Sequence, residues 1–512
     1  MSAELELRRS VALTPRGGTA VSHADFQLLP ASTPSAAEAF AKARELTRGR
    51  RLAVTLAGAE RSFESHFLPR GDAAPSVVVS SKRLRGRVEL LGRRAGADGE
   101  VLRVRALAGT SFGELCQTVH ATGAEFMPFS CPTAEAISLG GALAVNTHGR
   151  TSSTYGGLFA EHVTAFRLVD PSGRVHDCRP DADNELERVL FRTVPGALGA
   201  LGLVTDMELE LRAVSPSAEV VVEGLEARDG DPLPTVRSYL GRVSDNAGAA
   251  FRPWSEGLSL VFFGAPARGT SVVLGRRLGG HVERRRATLP LFRESSESNL
   301  YAQAFSHRFP VVARALAARL LRPGRSFRAP YYRWAFFQSS YDECAARLER
   351  RKPLLLEALG FESTLGLVHQ GWVVGGSGLE AFVTLAAELL EQPEYAPVVA
   401  GLEFFDVIAL PRPTTPLEPS HAVGGDAHVS TLSIAVHEPS ERELAEAFCR
   451  ELSERAHAGA LPVVVQLNKQ HHVAPAVLRT MHRGVLEELA RVKDLVDPDG
   501  VLGSRTLERL GF

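Results

Sequence analysis

The sequence predicts an α+β protein of two domains, and three observations carry that reading. At 512 residues the chain is longer than one hydrophobic core usually organises. Up to about residue 215, short buried or alternating apolar runs of strand type are interleaved with a few helical stretches. From about 216 to 460, longer helical repeats alternate with strands, the pattern of a sheet carrying helices on one face. The expected boundaries are 1–215, 216–460 and a closing segment, 461–512.

The elements follow in order. Residues 35–48 have helical spacing, and 51–58 and 76–81 read as buried strands. Residues 101–109 alternate as a strand. Ser111 and Glu114 then make an S-x-x-E capping box that opens a helix to about Gly123. Residues 162–180 read as two strands joined by an Asp-Pro-Ser-Gly turn, and 202–214 as another alternating strand. In the second region, helices are expected over 341–359, 378–391 and 439–457, and strands over 258–264, 402–410 and 428–436. Residues 461–469 read as a strand ending in polar residues. One helix is expected from Pro475 to about Val492, with proline in its first turn.

Composition excludes several classes. The chain is 44% hydrophobic and 23% charged with a formal net charge of -1, which argues against general nucleic-acid binding. No apolar run approaches the roughly 18 residues of a membrane span. The N-terminus lacks an apolar signal core. Five cysteines at 116, 131, 178, 344 and 449, without a CxxC spacing, make a disulfide framework or a metal site unexpected and fit a cytoplasmic setting. Lysine occurs only at 42, 82, 352, 469 and 493 in an arginine-rich chain, so each position invites scrutiny.

Three glycine-bearing loops stand out. SLGGALAVNTHGR (138–150) sets Gly140 and Gly141 ahead of a small-residue run that ends on Asn146, His148 and Arg150. Paired glycines permit close approach of backbone N–H groups to an anion such as a pyrophosphate, or tight packing of the backbone itself. The pattern is neither G-x-G-x-x-G nor the P-loop. LAGAERSF (56–63) follows a strand and ends on a cation and a hydroxyl, a phosphate-like environment. PGALGALGLV (195–204) is the third.

Taken in order, LAGAERSF, AGTSFGEL (108–115), CPTAEAISLGGALAVNTHGR (131–150), the hairpin at 162–180, GALGALGLVTDMELEL (196–211) and the closing VDPDGVLGSRTLERLGF resemble the FAD-binding PCMH-type (vanillyl-alcohol oxidase) flavoprotein family. Within it they are most similar to the sugar and polyol oxidase branch. The resemblance implies the PCMH-type FAD-binding fold, an α+β substrate (cap) domain over 216–460, and a C-terminal segment that returns to the flavin. It implies that Gly58, Arg61, Ser62, Phe63, Pro132, Ile137, Ser138, Gly140, Gly141, Asn146, His148, Gly149, Leu203, Val204 and Lys469 contact the cofactor. Relatives that bind flavin covalently carry histidine where this chain has Arg61, so noncovalent FAD is expected, with His66 and Cys131 as the other residues to consider for a link. Lys469 is expected to face the flavin as a cation, with His148 beside the substrate, and His471 or His472 as proton acceptor.

The implied reaction is oxidation of a CH–OH group of a sugar, polyol or lactone-type substrate, with oxygen or another acceptor reoxidising the cofactor. Two alternatives stay open: a tailoring oxidase for a large apolar or carrier-bound alcohol, and a non-catalytic flavin-fold binding protein. Seven arginines across 308–333, with no acid among them and apolar residues interleaved, make a basic amphipathic stretch. It reads either as a solvated helix or as a contact for anionic lipid, a phosphate-bearing substrate or a carrier protein, which would place the protein peripherally at a membrane.

Overall fold

A computed structural model describes residues 4–15, 22–47, 52–62, 64–71, 75–96, 99–122, 126–130, 132, 136–149, 152, 157–213, 217–226, 231–248, 259–263, 270–277, 325–330, 366–436 and 438–512. They form three sheets. The first contains β1 (Leu5–Leu13), β2 (Ser22–Pro30), β3 (Val54–Ala57) and β4 (Val77–Ser80), in the order β1-β2-β4-β3. β4 is parallel to both its neighbours, while β1 and β2 are antiparallel. Helix α1 (Thr33–Thr47) buries Ala36, Ala39, Phe40 and Ala43. The 3–4 spacing of these residues puts them on one stripe against Leu28, Val54, Val77 and Val79. β1 gives little sequence signal because it is an edge strand whose middle, Arg8, Arg9 and Ser10, faces solvent.

The second sheet is antiparallel: β5 (Val88–Gly96), β6 (Gly99–Leu107), β7 (Phe126–Pro128), β8 (Val163–Val169), β9 (Val175–Cys178) and β10 (Leu203–Ala213). Its order is β5-β6-β10-β8-β9, with β7 also on β10. The capping box forms as expected: Ser111 Oγ accepts from Glu114 N–H at 3.1 Å and Glu114 Oε2 accepts from Ser111 N–H at 2.9 Å, opening α2 (Phe112–Ala121). In the β8–β9 hairpin, Asp170 Oδ1 accepts from the N–H groups of Ser172 and Arg174, which fixes the turn. Two short helices complete this region, α3 (Leu139–Ala144) and α4 (Glu185–Thr193).

The third sheet has eight antiparallel strands: β11 (Ser217–Glu226), β12 (Ser259–Phe263), β13 (Thr270–Arg277), β14 (Arg325–Pro330), β15 (Gly366–Gly375), β16 (Leu402–Ala409), β17 (Ala427–Val436) and β18 (Val463–Val465). The order is β14-β11-β13-β12-β16-β17-β15-β18. Residues 325–330 of the basic stretch are thus an edge strand; the rest of it, like the expected helix at 341–359, lies outside the described residues. Helices α5 (Leu233–Gly248), α6 (Leu379–Leu390) and α7 (Pro439–Ala458) accompany this sheet. Gln370 Nε2 and Trp372 Nε1 both donate to Ser453 Oγ of α7 at 2.9 Å, and Trp372 packs on Phe382 of α6. Alternation along β15 therefore turns His369, Gly371 and Val373 to the opposite face.

β18 ends at Val465, sooner than the sequence suggests. The single helix expected over 475–492 is two, α8 (Pro475–Met481) and α9 (Arg483–Val496). They break at His482, whose buried ring bonds to Val465 O at 2.8 Å instead of following a continuous helix face. The chain then returns to the first sheet. Val54 N–H donates to Val501 O at 2.8 Å, Gly503 N–H donates to Val54 O at 3.0 Å, and α10 (Arg505–Leu510) follows. Buried Lys493 pairs with Asp497 and donates to Ala200 O and Leu502 O, while Asp497 also accepts from Val501 and Leu502 N–H. These partners tie the closing segment to the loop before β10. Among the described residues no helix is long and apolar enough to cross a membrane.

Candidate functional site

β3 runs directly into the loop 58–62, which lies against the start of α3. A Cβ on Gly58 would come within 2.8 Å of Ser138 Oγ and 3.5 Å of Gly141 Cα, so the contact exists because Gly58 has no side chain. Ala59 N–H donates to Ser138 Oγ at 3.2 Å. Glu60 holds the left-handed turn with φ of 57°, its carboxylate tied by Lys82 and Gln27. The amides of Glu60, Arg61 and Ser62 meet no protein acceptor among the described residues. Ser62 Oγ accepts from Glu64 N–H at 3.3 Å.

The adjacent glycines have different tasks. Gly140 N–H donates to Ala108 O at 2.7 Å, and a Cβ there would stand 2.9 Å from Ala108 Cβ and 3.2 Å from Ala108 O. Its amide is therefore used by the chain, and Gly140 is a packing glycine, which corrects the expectation that it faces a ligand. Gly141 differs. A Cβ there would meet only Ser138 Oγ, at 3.0 Å, and its N–H has no acceptor among the described residues. Four partly exposed amides without a protein acceptor, around two touching loops, suit the oxygens of an anion.

Other expected contacts are placed otherwise. Asn146, at φ 41°, accepts from Ala160 N–H at 3.0 Å through Oδ1. Its Nδ2 donates to Thr415 Oγ1 at 3.2 Å and Glu418 Oε1 at 3.4 Å. The side chain thus fastens the loop after β16 to the end of α3, a correction to its expected role on the cofactor. The third glycine loop is also structural: Gly196 and Leu198 N–H donate to Leu143 O and Ala144 O, satisfying the last carbonyls of α3. Leu203 and Val204 pair with Val169 and Leu168 of β8, while the β6 ladder begins only at Asp206, leaving their other edge without a strand among the described residues. Ile137 O accepts from Phe112 N–H, Gly149 N–H donates to Ser152 Oγ, and Pro132 is buried. Phe63 and Cys131 lie outside the described residues.

The chemistry-bearing group forms where α3's exit meets the loop after β18. Gln466 N–H donates to Gly371 O at 2.8 Å and Lys469 N–H to Gln466 O at 3.2 Å, a turn that sends both side chains across β15. A Cβ on Gly371 would lie 2.5 Å from Gln466 Oε1 and 3.2 Å from Lys469 Cγ, so any side chain there would displace the Gln466 amide from its present position. Gln466 Nε2 lies 3.1 Å from His148 Nδ1. Burial, and then the Lys469 cation, push the His148 pKa down to about 3, so the ring is neutral at physiological pH. Register extends this row: Gly371 stands opposite Thr431, and Thr431 opposite Asp406; one step along, His369 stands opposite Ser433. Gln466 and Gly371 escaped the sequence reading. An isolated glycine inside the apolar strand VHQGWVV was the available signal.

His471 joins a different cluster. Its backbone N–H donates to Glu64 Oε2 at 3.1 Å, its Nδ1 lies 3.6 Å from the same oxygen, and its ring centroid is 6.4 Å from that of His66. Burial outweighs the carboxylate and takes His471 down to about 3, so it is neutral. Burial opposes the Glu64 charge, yet the carboxyl is held low, by the His471 ring once acid protonates it and by the Ser65 hydrogen bonds at any pH. His472 N–H donates to Gln370 Oε1 and its carbonyl accepts from Arg450. The expected proton-accepting role of His471 therefore gains nothing from its placement, which is with Glu64 and His66 and not with His148 and Lys469.

Comparison with known proteins bears on the first half of this site. Residues 30–179 match the family described as FAD binding domain. Over 152 residues the chain is 27% identical to L-gulonolactone oxidase 3 of Arabidopsis thaliana, covering 29% of this chain and 24% of that protein, so the match spans about a quarter of the relative's length. Residues 30–179 are an FAD-binding domain of the PCMH type, and FAD is the cofactor it binds.

Proposed function

We propose that the chain is an FAD-dependent oxidoreductase that removes hydride from the CH–OH carbon of a sugar, polyol or lactone-type substrate. The observation that carries this reading is the packing of Lys469 and Gln466 over Gly371, with the Lys469 charge and the Gln466 amide both acting on His148, beside a domain that binds FAD. FAD, when bound, supplies the hydride acceptor. The residues present suit it: the unclaimed amides of Glu60, Arg61, Ser62 and Gly141 would take the pyrophosphate, with Ser138 closing the contact between their loops. Arg61 offers no nucleophile for a covalent link, which supports noncovalent binding.

Lys469 contributes a fixed cation where negative charge builds up during hydride transfer, and such a charge is worth more in a partly buried site than in water. The face of the third sheet that carries Gly371 also carries Thr431, Ser433, His369 and Asp406. Hydroxyl, imidazole and carboxylate groups on one wall suit a substrate with several hydroxyls better than an apolar chain. Anaerobic mixing with gulonolactone, an alditol and a long-chain alcohol tests this. Loss of oxidised-flavin absorbance with the first two alone is expected. Bleaching only by the long-chain alcohol would replace the substrate class with a lipophilic one, and bleaching by none would leave a flavin-binding protein.

A further inference from the structure

We propose that Gln466 is a positioning residue: its amide NH2 donates to His148 Nδ1, fixes the ring as the Nε2–H tautomer, and makes His148 a neutral hydrogen-bond donor to an oxygen of the substrate or cofactor, not a base. The inference rests on the functional reading above and goes further by assigning the direction of the proton.

Gln466 cannot rearrange freely. Its N–H is bound to Gly371 O and its carbonyl to Lys469 N–H, and its side chain lies flat over Gly371 because that residue has no Cβ. The amide has two ends. Oε1 lies on the Gly371 side, buried and with no donor among the described residues, and Nε2 lies 3.1 Å from His148 Nδ1. An amide NH2 can only donate, so at this contact the ring nitrogen Nδ1 is the acceptor. A neutral imidazole carries one proton, so a donor at Nδ1 leaves that proton on Nε2. Burial and the neighbouring cation also keep the ring from taking a second proton. His148 therefore offers an N–H to an oxygen and does not take up the substrate's hydroxyl proton.

Imidazole nitrogen NMR on the FAD-loaded protein with 15N-labelled histidine tests this, His148→Asn providing the assignment. Wild type should show His148 as the Nε2–H tautomer with no titration between about pH 5.5 and 8.5. In Gln466→Glu a carboxylate can only accept, so the tautomer should switch to Nδ1–H and the ring should titrate closer to neutrality. The rate of flavin reduction should gain a matching pH limb. Gln466→Leu should give a mixture of tautomers. A wild-type Nδ1–H ring, or the same tautomer in all three proteins, would overturn the proposal. The spectra need no turnover. An Nε2–H ring in a protein that no alcohol reduces would sink the functional reading and leave the tautomer assignment standing.

Discussion

On one side of the site, Gly58, Arg61, Ser62, Ser138 and Gly141 come from two short segments, each the direct continuation of a strand or the start of a helix. On the other, Asp406, Thr431, Gly371, Gln466 and Lys469 come from three strands and a loop, aligned only by antiparallel register. The first side takes its chemistry from backbone amides, the second from side chains. The contrast shows why the proposed cofactor cradle is visible as a local pattern while the proposed substrate wall is not. Register is fixed by which face is buried, and that is known only when the sheet is assembled.

Acid should produce the largest effect, and it tests whether the two sides unfold as one body. His66, His148 and His162 on the first side, and His428, His471, His472 and His482 on the second, all have pKa values pushed down to about 3 or 4, chiefly by burial. Their folded values lie below the ordinary 6.5, so the unfolded chain binds more protons and stability falls as pH drops from 6.5 towards 4. Calorimetry should show a Tm that declines steeply over that window with uptake of several protons on unfolding. One transition would mean a single unit; two would separate the sides.

Next in size is Lys469→Met. Loss of a cation at the site of charge development should slow flavin reduction by roughly 10²–10³-fold, with thermal stability unchanged. Stopped-flow measurement of a normal rate would remove Lys469 from the chemistry. The glycine pair sharpens the comparison further. Gly140→Ala should cost about 1–3 kcal/mol, because the added carbon meets Ala108. Gly141→Val should leave the chain folded yet unable to retain FAD. Equal Tm losses and equal flavin contents in the two variants would erase the distinction drawn between them. The smallest effect on the cofactor belongs to Asn146→Ala, which removes a tie between the two sides and the acceptor of Ala160 N–H, and should cost about 1–3 kcal/mol in urea unfolding without loss of flavin. Loss of flavin in that variant would restore Asn146 to the cofactor.

Much of the fold was legible where a signal is local. The Ser111–Glu114 box, the Asp170 turn and the strands at 54–57, 77–80 and 203–213 announce themselves in a few residues. The break at His482 did not, since it depends on a bond to Val465 O across the fold. The two glycine-bearing loops at 58–62 and 137–149 were readable as loops, but not the division of labour between Gly140 and Gly141, which Ala108 decides from another segment. Asn146 looked like a ligand contact because its partners, Thr415 and Glu418, are some 270 residues away. Gln466 was passed over beside Lys469 for the same reason: its meaning comes from His148.

The central claim is that unclaimed amides at Glu60, Arg61, Ser62 and Gly141 hold FAD without a covalent bond, beside Lys469 and His148. The visible spectrum of the purified protein, before and after acid precipitation, addresses it most directly. A yellow protein whose colour passes entirely into the supernatant is the predicted result. Colour that stays with the pellet, or a protein that remains colourless after FAD is added, would contradict it.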